Sequence, residues 1–249
     1  DDVPTLLRQA DVAMYTAKGD RSVVEVYAPD RDHYSPQRLS LVGRLRSAIE
    51  NGDLILNYQP QIDLVTGDVV GVEALVRWPQ PGREPIPPDE FVHIAESTGL
   101  IRPLTRHVLD LAVHQAARWH EQGRHLRVSV NLSPHNLLEP AIADDIAALL
   151  RAAGLPPDRL MIELTETTVM ANPQRTMGII SELREVGLGL AIDDFGTGHS
   201  SLAYLTSLPA SELKIDKSFV LAMGSDPNAK TIVKAIVDLG RNLGLEVVA

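Results

Sequence analysis

From Leu54 to Val248, short apolar runs alternate with longer segments whose apolar residues recur at helical spacing, and this alternation limits the possible folds more than any other property. Ile55–Leu64 and Asp68–Trp78 flank a Thr66-Gly67 turn and read as a hairpin. Leu126–Leu132, Leu160–Leu164, Leu188–Ile192, Glu212–Asp216 and Leu245–Val248 read as strands. Thr105–Gln122, Pro140–Ala153, Pro173–Val186 and Asn228–Leu243 read as helices, with a short helix over Ser200–Ser207. Strands separated by helices pair in parallel, because only a crossover of that length returns the chain to the same end of the sheet. The number of units predicts a TIM-like (β/α)8 barrel. An open doubly wound sheet is the alternative. It would want a phosphate-binding glycine loop after its first strand, and none is found there.

Polar groups break the apolar runs in one consistent place. Glu73, Asn131, Glu163, Glu166, Asp193, Asp194, Lys214 and Asp216 all lie at or near the C-terminal ends of the expected strands. Barrel enzymes place their chemistry at that end. An isolated buried carboxylate is costly, so such groups are normally paired or bound to metal. A single Asp-Asp pair is explained equally well by a turn cap, and an asparagine at a strand end by an ordinary hydrogen bond. Five strands ending alike are harder to explain separately. Carboxylates and an amide carbonyl are hard oxygen donors, suited to Mg²⁺ or Mn²⁺ rather than zinc or copper. The histidines include no HExxH spacing, and His93, His107, His114 and His120 are expected on helix surfaces. Only His199, in the glycine-rich stretch after Asp194, lies near the acids. Lys214 needs an anionic neighbour. The structural reading pairs it with Asp216 or Asp194, and the functional reading makes it the cation that orients an attacking water.

Composition excludes several classes. With no cysteine among 249 residues there is no disulfide and no thiolate metal site. A net charge of −10 argues against a nucleic-acid polymer as partner. No run approaches the roughly 18 apolar residues of a membrane span, so this segment is expected to make no membrane contact. The first residues lack signal-peptide features, and a cytoplasmic location is expected, although the parent protein could be tethered to a membrane upstream.

The N-terminal stretch differs in character. Leu6, Leu7, Ala10, Ala13, Met14 and Ala17 mark one face of a helix over residues 3–18, and Ser22–Tyr27 reads as a strand. One helix and one strand cannot bury their apolar faces alone, so they read as the remnant of another domain. Residues 30–37 read as a linker, and Leu39–Glu50 as an amphipathic helix.

VEALVRW, VNLS, ELTE, IDDFGTGHSSL and LKIDKSFV together resemble the motif series of the EAL domain, from about residue 38 to the end. That family hydrolyses cyclic di-GMP to linear pGpG. The resemblance implies a TIM-like barrel, two divalent cations (Mg²⁺ or Mn²⁺) and a homodimer. By position it implies metal ligands at Glu73, Asn131, Glu163, Asp193 and Asp194, with Asp193 bridging. It implies a catalytic Lys214, a supporting carboxylate at Asp216, and Glu166 holding the loop after Asp194. Substrate contacts fall on Gln59, Leu75 and Arg77. LLRQADVAMYTAKGDR is similar to the final helix of a GGDEF domain, so the expected organisation is a remnant over 1–29, a linker over 30–37 and an EAL domain over 38–249. In the family a glutamate follows the Val-Val-Ala run near the seventh strand, where this sequence has Val247-Val248-Ala249 as its end. The barrel is therefore expected to lack its last strand and helix, with impaired activity in the chain as written. A catalytically silent receptor for the same dinucleotide, acting through a protein interface, is the alternative to a hydrolase. The presence of Glu73, Asn131, Glu163, Glu166, Asp193 and Lys214 favours the hydrolase.

Overall fold

The structure, a computed structural model, describes residues 36–249 apart from Arg83, Asn172 and 198–204, and nine residues before 36. The chain divides into two compact units, 1–51 and 52–249. In the first, helix α1 spans Pro36–Asn51, and Val3, Leu6, Gln9, Ala10, Ala13 and Met14 are helical. Val24 and Val26 are exposed and outside any strand, so at these two positions the strand expected over 22–27 is not found. Pro36 and Gln37, expected in the linker, open α1 instead, and apart from Asp2 the rest of the expected remnant and linker lies outside the described residues.

The second unit is α/β. Its elements are β1 (Ile55–Ile62), β2 (Val69–Arg77), α2 (Pro88–Thr98), α3 (Ile101–Glu121), β3 (Arg127–Asn131), α4 (Ile142–Ala153), β4 (Leu160–Thr165) and α5 (Glu166–Ala171). They continue with α6 (Pro173–Val186), β5 (Gly189–Phe195), β6 (Glu212–Ile215), α7 (Lys217–Ala222), α8 (Pro227–Leu243) and β7 (Glu246–Val248). The seven strands lie side by side in chain order. β1 runs antiparallel to β2, as a hairpin demands, and every later pair is parallel. The hairpin expected around Thr66-Gly67 is thus found. The turn is too short for a crossover, and Asp63 braces it by accepting from the amides of Val65 (2.7 Å) and Thr66 (2.9 Å).

The sheet is strongly curled. In a flat sheet β2 and β6 would stand about 19 Å apart, four strand spacings. Yet Lys214 of β6 reaches Glu73 of β2 at 2.9 Å, and Arg127 of β3 reaches Glu246 of β7 at 2.5 Å. The curl has an apolar cause. β4 is buried on both faces from Leu160 to Leu164, and helices cover its outside. α3 turns Leu104, Val108, Ala112 and Val113 inward at helical spacing, and α4 does the same with Ile142, Ile146 and Leu150.

Two helices, α5 and α7, had no expectation in the sequence, and a third, α2, was implied only by the placing of His93 on a helix surface. α5 and α7 have six residues each, too few to show a helical period, and α5 carries Thr167, Thr168 and Val169, poor helix formers. α2 did carry signals, in Pro88 with Asp89 and Glu90 at its start and Gly99 in the left-handed conformation at its end. β5 runs three residues past Ile192, and its pairing with β6 slips between Ile192 and Phe195.

Gly240 places α8 directly on β7. A Cβ added there would lie 2.4 Å from Val247 Cγ2. Helix propensity favours Gly240→Ala by about 1 kcal/mol. Overpacking costs about 1–3 kcal/mol and should outweigh it. We expect Gly240→Ala to lower stability in chemical denaturation. A stabilised variant would contradict this packing.

Candidate functional site

The curl brings side chains from four strands together. Glu73 stands mid-strand, fifth of the nine residues of β2, rather than near the C-terminal end expected for it. Glu73 of β2, Glu163 of β4 and Asp193 of β5 offer carboxylate oxygens within 4.8 Å of one another. Lys214 of β6 donates from Nζ to all three, at 2.9 Å to Glu73 Oε2, 2.7 Å to Glu163 Oε2 and 3.2 Å to Asp193 Oδ2. Asn131, last in β3, donates from Nδ2 to Glu73 Oε1 at 2.9 Å. These five residues therefore form one hydrogen-bonded group. The partners read from the sequence for Lys214, Asp216 or Asp194, are not the ones it finds. Its side chain points across the sheet towards β2, β4 and β5, while Asp216 already lies beyond the end of β6.

The slip in β5 separates the two adjacent aspartates. Asp193 faces the lysine, and Asp194 adopts φ 53°, alone among described non-glycine residues in the left-handed region. Asp194 turns towards the Asp216 carboxyl, whose charge, after burial and the charge of Asp193, helps to raise its pKa. Asp216 in turn caps α7, accepting from the Ser218 amide at 2.9 Å and from the Ser218 hydroxyl. Ser218 is a supporting residue with no expectation in the sequence reading, although the Asp-x-Ser spacing at a helix start was a capping signal. Glu166 accepts from the Gly196 amide at 2.9 Å, which ties the segment after Asp194 to α5. Gly196 has φ 105°, and a Cβ there would meet the Phe219 ring at 2.9 Å, so only glycine fits. His199 and Gly198 lie outside the described residues.

Gln59 stands opposite Glu73 in the β1–β2 ladder. Leu75 and Arg77 follow Glu73 at two-residue steps, on the same face of β2. The Arg77 guanidinium donates to the Val76 carbonyl at 2.9 Å and touches none of the three acids.

The charges do not balance within the cluster. Burial, opposed by the Lys214 charge, pushes the Glu163 carboxyl up to about 8. Burial alone would lower Lys214, but Glu163, Asp193 and Glu73 outweigh it and hold the ammonium above its usual range. Burial, then Asp193 and Asp216, raise Asp194, while hydrogen bonding to Ser218 holds Asp216 low. Glu163 is fully buried and its Oε1 has no hydrogen-bond partner. An orphaned acceptor among carboxylates fits a cation. The donors are all oxygen, as a hard divalent ion requires. This cluster could hold a metal.

The family model described as EAL domain matches residues 42–249. The chain is 40% identical over 246 residues to the bifunctional diguanylate cyclase/cyclic di-GMP phosphodiesterase MucR of Pseudomonas aeruginosa, covering 98% of this chain and 36% of that protein. It is 38% identical over 249 residues to the cyclic di-GMP phosphodiesterase PdeR of Escherichia coli, covering 100% of this chain and 38% of PdeR. The chain thus spans about a third of the length of the curated relatives it matches. Among solved structures, the PaMucR phosphodiesterase in complex with c-di-GMP superposes with a TM-score of 0.80 at 41% identity, covering 84% of this chain and 85% of that one. Among the described residues, no helix is long and apolar enough to cross a membrane.

The Glu163 shift fixes the sign of a pH effect. With a folded value near 8 against an unfolded value of about 4.3, the folded chain binds this proton more tightly. That contribution is complete below the unfolded value and is lost as pH rises through about 8. In excess chelator, the denaturation midpoint should fall from pH 5 to pH 9, and Glu163→Gln should flatten the slope. An equal slope in the variant would contradict this assignment.

Proposed function

The chain belongs to the EAL-domain family, and from that premise we propose that it hydrolyses cyclic di-GMP to linear pGpG with two divalent cations, Mg²⁺ or Mn²⁺. The observation that carries the reading is the Lys214 ammonium held by Glu73, Glu163 and Asp193 at one end of the curled sheet. The names of relatives at 38–40% identity support the substrate.

In this reading Glu73, Asn131, Glu163, Asp193 and Asp194 would hold the cations. When bound, such ions supply an acidified water and neutralise charge on the phosphoryl oxygens. Lys214 orients that water through its donors and stabilises charge developing on a non-bridging oxygen. Water oxygen bonds to phosphorus, the bond to the leaving 3′-oxygen breaks, and that oxygen takes up a proton. One cut opens the ring and leaves a 5′-phosphate and a free 3′-hydroxyl, which is pGpG. Asp216, itself held by Ser218, faces Asp194 and sets its electrostatic surroundings. Glu166 fixes the segment beyond Asp194 through the Gly196 amide. Gln59, Leu75 and Arg77 line the approach on β1 and β2. Arg77 offers a planar fork suited to a phosphate, and its only described bond is to a neighbouring carbonyl. The proposal includes a homodimer, a cytoplasmic site of action, and a GGDEF-type segment before the EAL domain.

The test is turnover of cyclic di-GMP with Mg²⁺ or Mn²⁺, read by chromatography on the intact protein that carries this chain. Formation of pGpG is expected. Binding of the dinucleotide without any turnover would replace the hydrolase by a receptor. Glu73→Ala and Lys214→Ala should each lower kcat by about 10²-fold or more, the scale of losing one preorganised electrostatic contact. Lys214→Ala should still bind the dinucleotide, because the lysine acts on the water. A fully active Lys214→Ala protein would contradict the mechanism.

A further inference from the structure

The Asn131 side chain has a single described hydrogen bond, to Glu73, and Asn131 is the last residue of β3. Its position is therefore set by the backbone that leaves β3. That backbone is fixed at three points. The Leu132 amide donates to the Glu163 carbonyl at 3.0 Å, extending the ladder towards β4. Ser133 closes a turn, its carbonyl accepting from the Asn136 amide at 2.9 Å and its hydroxyl from the His135 amide at 3.3 Å. Buried Asn136 is held by the Thr105 hydroxyl of α3 at 2.9 Å. The third point comes from a different element. The Ser133 hydroxyl donates to Glu96 Oε1 of α2 at 2.7 Å, and both groups are part-buried.

We infer that Glu96 is a positioning residue for the amide of Asn131, acting through Ser133, in a site that takes a divalent cation. The inference rests on the hydrolase reading above. A hydroxyl bound to a carboxylate is a strong contact with one preferred geometry. It sets the torsions of the turn two residues after Asn131, and so the direction in which the amide leaves the strand. Groups that orient a metal ligand without touching the metal typically contribute about 10–100-fold in metal affinity.

The experiment is calorimetric titration of Mn²⁺ into the metal-free protein, with no substrate present, alongside thermal melting. Glu96→Ala should weaken Mn²⁺ binding about tenfold. Glu96→Gln, which keeps an acceptor oxygen at roughly half the strength, should remain within about threefold of the wild type. Ser133→Ala should match Glu96→Ala, and the double variant should be no worse than either single one. Unchanged Mn²⁺ affinity in Glu96→Ala, even with a lower melting temperature, would reduce the contact to a structural tie and overturn the inference. Additive losses would overturn the route through Ser133. Failure of the wild type to take up Mn²⁺ would overturn the hydrolase reading itself, a separate and visible result.

Discussion

The ammonium of Lys214 among three carboxylates is the interaction on which the rest of the unit depends. It joins β2, β4, β5 and β6 across the interior of the sheet. Burying four ionisable groups is expensive, and replacing a buried ion cluster with apolar residues is often neutral or stabilising. Apolar packing alone would have filled this end of the curled sheet at less cost. Charges are placed here although stability does not require them, and that is the mark of a working site. The cluster is also unfinished: Glu163 keeps an orphaned oxygen, and its proton affinity is raised by its own burial.

The surrounding structure keeps these groups in register. β4 is buried from Leu160 to Leu164, so Glu163 cannot move without opening the core. The slip in β5 lets two adjacent aspartates serve different neighbours, which a regular strand would also separate but would send to opposite faces of the sheet. Asp194 accepts a left-handed conformation to reach Asp216, and aspartate tolerates that region better than most residues. Gly196 and Glu166 then hold the chain as it leaves the site. Removing one partner of the buried cluster leaves charge uncompensated, a loss of about 3–5 kcal/mol in comparable pairs.

Much of this was legible before any coordinates. The alternation of apolar runs with helical segments gave the parallel sheet, because strands buried on both faces cannot carry a polar period. The polar residues ending those runs gave the members of the cluster. What the sequence could not show was who meets whom. Lys214 looked closest to Asp216 and Asp194 because they are near in sequence, but strand geometry sends it across the sheet to Glu73, 141 residues away. The short helices α5 and α7 were invisible because six residues do not display a period. Ser218 and Glu96 act through contacts that depend on tertiary placement, and only the cap at Asp216 had a local signal.

The most direct test of the central claim is diffraction from crystals grown with Mn²⁺, recorded at the manganese absorption edge. The account predicts anomalous density between Glu73, Glu163 and Asp193, within coordination distance of the Glu163 oxygen that now lacks a partner. Density only at surface carboxylates, with the Lys214 ammonium still bound to all three acids, would contradict it.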